Sequence, residues 1–283
     1  MKIVSTIKEL TAHITTAKKA DKTIGLVPTM GYLHEGHMAL ATAARKENDI
    51  VVMSLFVNPA QFGPNEDYES YPRDLNRDSK IAEKVGVDFL FAPSASEMYP
   101  NNGGIQILAG PQSKILCGAT RPGHFDGVLK IVTKLFHITQ PTKAYFGQKD
   151  AQQLALIETL VRDFNFPLEI RSVPIVREED GLAKSSRNVF LTEQQRKVAV
   201  VIHQALILAK NHYFESDNNI EATNLAKEYI EANSNGQIDY LQMLSYPDLT
   251  EVTEQTKKVL LATAVYFSNT RLIDNIIFQE KGE

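Results

Sequence analysis

Over residues 1–175, short apolar runs alternate with stretches whose apolar positions recur every three or four residues. Residues 50–57 (IVVMSLFV) are apolar almost throughout, the pattern of a strand buried on both faces. Residues 23–28, 88–92, 143–147 and 168–173 read as further strands. Residues 37–46, 73–85, 123–139 and 151–164 carry helical periodicity, and Gly86 stops the second of these. Strands alternating with helices predict a parallel sheet covered on both faces, the doubly wound α/β plan.

The pattern changes near Val176. Arg177-Glu178-Glu179-Asp180-Gly181 is a polar turn, and residues 193–213 read as one long amphipathic helix with Val198, Val201, Ile202, Ala205 and Ala209 on its stripe. Residues 220–232 read as another helix. Residues 238–245, 259–267 and 271–278 read as strands. Helices followed by antiparallel strands predict a smaller α+β domain. The expected division is therefore 1–175 and 176–283.

The chain has 283 residues, 43% of them hydrophobic, enough to bury a sizeable core. A formal net charge of −4 with mixed signs argues against bulk nucleic-acid binding, which needs a basic footprint. The single cysteine, Cys117, excludes an intrachain disulfide and reads as a small buried apolar residue. The N-terminal residues lack the apolar core of a signal peptide, and no apolar run nears the ~20 residues of a membrane helix. A soluble, cytoplasmic protein without membrane partners is expected.

The sharpest chemical feature is Met30-Gly31-Tyr32-Leu33-His34-Glu35-Gly36-His37, between the first parallel strand and the helix that follows. Ligands of open α/β sheets bind at the carboxyl ends of strands, often at helix N-termini. His34 and His37 lie three apart, so both can project from one helical turn toward an anion. Gly36 is expected to leave room for a flat base against the backbone. Zinc proteases need H-E-x-x-H, with the histidines four apart, so metal chelation is not expected here. Lys184-Ser185-Ser186-Arg187 offers two hydroxyls flanked by two cations, a clamp suited to a triphosphate. Gly147-Gln148-Lys149-Asp150 ends a predicted strand, with Gln152 and Gln153 just beyond. Gln61 closes the turn after the apolar strand, and its amide can both donate and accept. The pair H-x-G-H and K-S-S-R resembles the two ATP elements of class I aminoacyl-tRNA synthetases and related nucleotidylyltransferases.

Taken together, PTMGYLHEGH (28–37), FVNPAQFGPNEDYESYPR (56–73), LCGATRPGHFDGVLKIVTKLF (116–136), YFGQKDAQQ (145–153), SSRNVFL (185–191) and TRLIDN (270–275) resemble the pantothenate synthetase family in order and spacing. The resemblance implies a Rossmann-like N-terminal domain, a smaller C-terminal α+β lid domain, Mg²⁺ with ATP, and a homodimer. The implied reaction condenses pantoate with β-alanine through a pantoyl-adenylate. It also implies ATP binding by Met30, Gly31, Tyr32, Leu33, His34, Glu35, Gly36, His37, Gly147, Gln148, Lys149, Asp150, Val176, Lys184, Ser185, Ser186 and Arg187. Gln61 and Gln153 are the implied pantoate contacts. His37, His34, Lys149 and Arg187 are the candidate catalytic residues, and Asn58 and Arg121 stand near the phosphates. One position departs: Lys184 stands where the family often has an apolar side chain. The rival expectations are a nucleotidylyltransferase of the same superfamily, a tRNA synthetase fragment, and a non-catalytic nucleotide-binding regulator.

Overall fold

Strands β1 (Lys2–Val4), β2 (Ile24–Thr29), β3 (Ile50–Leu55), β4 (Phe89–Phe91), β5 (Lys143–Gly147) and β6 (Glu169–Val173) form one sheet in the order β1-β4-β3-β2-β5-β6. Every pairing in it is parallel. The computed structural model describes residues 1–64, 66–101 and 104–279. Helices α1 (Ile7–Lys19), α2 (Glu35–Glu47), α3 (Leu75–Lys84), α4 (Ala95–Met98), α5 (Cys117–Thr120), α6 (His124–Thr139) and α7 (Ala151–Asp163) fall between these strands in sequence. The expected doubly wound sheet is present. Its central strands are buried as the apolar runs predict: Val51, Val52 and Met53 of β3 and Leu26 and Val27 of β2 are fully enclosed. From β2 the chain steps one way to β3 and β4, then returns to the other side for β5 and β6. The strand order thus reverses between β2 and β5, where sheets of this kind bind ligands.

Two elements near the N-terminus carry too little pattern to be expected. In β1, three residues long, only Val4 is buried. In α1, Leu10, Ile14 and Ala17 make a narrow stripe at spacings of four and three, and the Thr6 hydroxyl caps the helix by accepting from the Glu9 N–H.

The chain divides into two compact units. The first comprises Met1–Gly110, Arg121–Gly147 and Leu156–Pro174; the second comprises Pro111–Thr120, Gln148–Ala155 and Ile175–Glu283. Two short segments from before residue 175 therefore pack with the C-terminal residues. The second unit contains α8 (Glu193–Val198), α9 (Val201–Ser216), α10 (Asn219–Asn233) and an antiparallel sheet of β7 (Gln237–Ser245), β8 (Lys258–Phe267) and β9 (Thr270–Gln279). Ile202 and Leu206 of α9 and Ala226 and Ile230 of α10 join Leu261 and Val265 of β8 in one apolar core. The single helix expected over 193–213 breaks at Ala199–Val200. Three of the four residues from Val198 to Val201 are β-branched, which weakens helix continuity there. Among the described residues no helix is long and apolar enough to cross a membrane.

Candidate active site

The carboxyl ends of β2, β3 and β5 are adjacent in the first unit, and each leads into a segment singled out from the sequence. After β2 the chain turns sharply, with Tyr32 at φ +50°. A left-handed tyrosine needs support, and the buried Asp78 of α3 supplies it. Its two carboxylate oxygens accept the N–H groups of Tyr32 (2.7 Å) and Leu33 (2.8 Å). Arg77 donates to the Leu33 carbonyl (2.8 Å) and stacks over the Tyr32 ring. Thr29 completes the frame, its hydroxyl donating to the Ser54 carbonyl (2.6 Å) and accepting from Gly31 (3.2 Å). The backbone from Gly31 to Leu33 is thus fixed at each residue.

His34 is the N-cap of α2. Its Nδ1 accepts the Gly36 N–H (3.1 Å), and the Nδ1 of His37 accepts the His34 N–H (3.3 Å). This is a capping box built from two imidazoles. Backbone N–H groups can only donate, so each neutral ring carries its proton on Nε2. The rings stand 4.1 Å apart between centroids. Both therefore offer Nε2–H donors from the positive end of one helix, the arrangement suited to an anion. The absence of a side chain at Gly36 also has a reason within the loop itself. A Cβ there would lie 2.8 Å from His34 Cε1, so the missing side chain makes room for the His34 ring.

After β3, Asn58 caps the short turn Pro59–Gln61 through a bond from Ala60 N–H to its side-chain oxygen (3.3 Å). Gln61 is buried, with Nε2 at 3.2 Å from the sulfur of Met30, so the turns after β2 and β3 meet. Arg121 is committed to Glu66, donating from Nε (2.9 Å) and making a second bond from its terminal nitrogen to the other carboxylate oxygen, and it also contacts His124 Nε2 (3.0 Å). Burial pushes the Glu66 carboxyl up, but the Arg121 hydrogen bond and charge outweigh it and hold the group below the ordinary glutamate value.

In the second unit, Lys184 N–H donates to the Val176 carbonyl (2.9 Å), and Arg177 bridges to Ala183, so Val176 and Lys184 face each other across a short ribbon. The Lys184 ammonium lies 2.9 Å from Glu178. Ser185 caps the turn Ser186–Phe190 by accepting the Arg187 N–H (3.2 Å), and Ser186 is buried. The strand β9 then ties this ribbon to Gln148–Asp150. Arg177 grips Asp274 with two bonds of 2.6 and 2.9 Å. The next residue, Asn275, donates from its side-chain amide to the carbonyls of Gln148 and Lys149, both at 2.9 Å. Gln153 is half-buried in the first turn of α7. Its neighbour Gln152 is buried and fastens the 112–117 segment, donating to the carbonyls of Gln112 (2.9 Å) and Ile115 (2.7 Å) and accepting from Cys117 N–H (3.0 Å).

The expectation that Cys117 is a small buried apolar residue is corrected. It is half-buried, with its sulfur 3.2 Å from the Tyr240 hydroxyl and 3.5 Å from the Arg271 guanidinium, which also binds Asp239. Burial, reinforced by Cys117, pushes the Tyr240 hydroxyl well above its ordinary range.

Asp78, Arg177, Asp274 and Asn275 are the supporting residues that pattern reading missed. A signal existed for Asp78. It sits with Ala82 on the buried stripe of an otherwise polar helix, and a carboxylate there must have donors to meet. Among the described residues, no group of three or more His, Cys, Asp or Glu could hold a metal ion.

The family model of pantoate-beta-alanine ligase matches residues 2–277. A pantothenate synthetase from Lysinibacillus sphaericus is 66% identical, with 99% of each chain covered. One from Geobacillus thermodenitrificans is 54% identical, covering 99% of this chain and 97% of its own. Among solved structures, pantothenate synthetase from Thermus thermophilus superposes with a TM-score of 0.92 at 45% identity, over 98% of this chain and 99% of that one. The pantoate-beta-alanine ligase of Francisella tularensis, solved with beta-gamma ATP and beta-alanine, gives 0.80 at 37% identity, over 98% and 97% of the two chains.

Proposed function

The chain belongs to the pantoate-β-alanine ligase family and ligates pantoate to β-alanine with the use of ATP, and we propose the parts its own residues take in that reaction. The carboxylate of pantoate attacks the α-phosphorus of ATP, forming pantoyl-adenylate and releasing diphosphate. The amine of β-alanine then attacks the acyl carbon, the acyl C–O bond breaks, and AMP departs.

Pantoate is already an anion, so the first step needs no general base. Its obstacle is bringing one anion to a polyanion, and the task is positioning and charge neutralisation. His34 and His37 donate from Nε2 to phosphate oxygens, together with backbone N–H groups of the helix start. Met30, Gly31, Tyr32, Leu33, Glu35 and Gly36 shape that part of the nucleotide site. Lys149 and Arg187 neutralise charge building on the departing diphosphate. Gly147, Gln148, Asp150, Val176, Lys184, Ser185 and Ser186 complete the ATP contacts, and Gln61 and Gln153 orient pantoate. Mg²⁺ would enter with ATP as part of the substrate, where it would offset phosphate charge while keeping several of its waters. Two copies of the chain form the working unit, and the enzyme acts in the cytoplasm.

The observation that supports this reading most is the two-histidine cap at the carboxyl end of β2, beside the point where the strand order reverses. The test is pantoate-dependent exchange of labelled diphosphate into ATP without β-alanine. Exchange that requires pantoate establishes an acyl-adenylate formed before the amine arrives. A folded, ATP-binding enzyme that shows none would overturn the two-step reading.

A further inference from the structure

The orientation of the Gln61 amide can be read from its neighbours in the first unit. The side chain of Asn58, almost fully buried, touches two backbone groups whose roles are fixed. The Gly127 carbonyl can only accept, so the amide nitrogen of Asn58 faces it, at 3.1 Å. The Ala60 N–H can only donate, so the amide oxygen faces that, at 3.3 Å. The second proton on the Asn58 nitrogen points to Gln61 Oε1, at 3.0 Å. The oxygen of Gln61 is therefore engaged, and its Nε2 is the end that meets Met30 and any ligand.

We propose that Tyr99 is a positioning residue for this amide pair, locking Asn58 so that Gln61 meets its substrate as a hydrogen-bond donor. The Tyr99 hydroxyl donates to Asn58 Oδ1 at 2.8 Å, a shorter bond than the one from Ala60. Tyr99 lies 41 residues from Asn58 in sequence, just past α4, so the lock is a tertiary contact and not part of the turn. Lys130 and Lys134 hold its ring from α6, at 5.6 and 5.7 Å from the centroid. Burial pushes the hydroxyl up to about 12, so it keeps its proton, and its capacity to donate, across the working pH range.

Two further contacts belong to the same frame. His124 Nδ1 lies 2.8 Å from the Gln61 backbone carbonyl and Nε2 lies 3.0 Å from the Arg121 guanidinium. A carbonyl cannot donate and a guanidinium cannot accept, which fixes the tautomer with the proton on Nδ1. Gly127 lets the turn approach this closely: a Cβ there would fall 2.1 Å from the Ala60 carbonyl oxygen. Main chain and side chain of Gln61 are thus set from three separate elements. The substrate group that meets Gln61 Nε2 is then an acceptor, a carboxylate or hydroxyl oxygen.

The proposal rests on the reading of Gln61 as a pantoate contact, and the test separates the two. Tyr99→Phe removes one oxygen and keeps the ring. It should raise the KM for pantoate roughly three- to tenfold, the equivalent of one lost hydrogen bond, and leave the KM for ATP unchanged. In a Gln61→Ala background the same substitution should have no further effect on pantoate KM. KM does not depend on the fraction of enzyme that folds, so partial misfolding does not blur the result. A wild-type pantoate KM in Tyr99→Phe, with Gln61→Ala impaired, overturns the role of Tyr99 alone. Additive effects in the double variant overturn the route through Gln61. A wild-type pantoate KM in Gln61→Ala overturns the assignment of Gln61 and the proposal with it.

Discussion

The Nδ1 of His37 accepts the backbone N–H of His34 at 3.3 Å, so the second histidine of the pair holds the first in place. Any substitution at His37 therefore acts twice, on the helix cap and on the chemistry. Gln at this third helical position can reach back to the same N–H, as in an ordinary capping box. His37→Gln should keep the melting temperature near wild type while kcat falls by roughly 10²–10³, the loss expected for one electrostatic donor. His37→Ala should lose the same activity and about 1 kcal/mol of stability as well. Turnover near wild type in His37→Gln would remove the imidazole from the mechanism.

Asp78 accepts two adjacent backbone N–H groups, and an amide cannot do so with both of its ends. In Asp78→Asn one N–H meets an NH₂ group. The loop from Gly31 to Leu33 should loosen, with stability falling by roughly 2–3 kcal/mol, as for a lost hydrogen bond to a buried charge. The KM for ATP should rise with it. Urea unfolding and ATP saturation measured on one preparation check this, and an unchanged ATP KM would show that Asp78 serves folding alone.

Asn275 satisfies the carbonyls of Gln148 and Lys149 from β9. Asn275→Leu keeps the approximate size and removes both bonds. The KM for ATP should rise while the KM for pantoate stays within about twofold, since only the cradle of Lys149 is disturbed. Loss of pantoate saturation instead would show that this turn serves the other substrate.

These supporting residues mark the boundary of what the sequence made legible. The doubly wound sheet was readable because fully buried strands leave continuous apolar runs, as in residues 50–57. His34 and His37 were readable because their spacing and their place at a strand end are both local facts. Asp78, Tyr99 and Asn275 act over 41 to 127 positions in sequence, and their partners are mostly backbone groups, which leave no trace in side-chain pattern. The room that Gly36 makes for the His34 ring was not legible, because sequence alone does not locate that ring. In the same way Cys117, isolated in the sequence, gains Tyr240 and Arg271 only through the fold.

The Glu47 carboxylate closes the far end of α2, the helix whose N-terminus carries the two histidines. One oxygen accepts from Lys143 (2.9 Å), Arg171 (2.9 Å) and the Tyr145 hydroxyl (3.1 Å), tying the helix to β5 and β6. The bonds from Lys143 and then Arg171 lower its pKa from 4.5 to about 2. The unfolded chain therefore binds this proton more tightly than the folded one. The stability that Glu47 contributes is fully present above its unfolded value of 4.5, and it is lost as pH falls toward the folded value of about 2. The side chain is 38% exposed, so solvent and salt screen the effect. Glu47→Gln should be less stable than wild type at pH 7, by a margin that shrinks with added salt. That margin should narrow between pH 4.5 and about 2 and then vanish. Urea unfolding of the two proteins across this range measures it. A gap that stays constant with pH would mean that Glu47 acts through packing or neutral hydrogen bonding, and not through its charge.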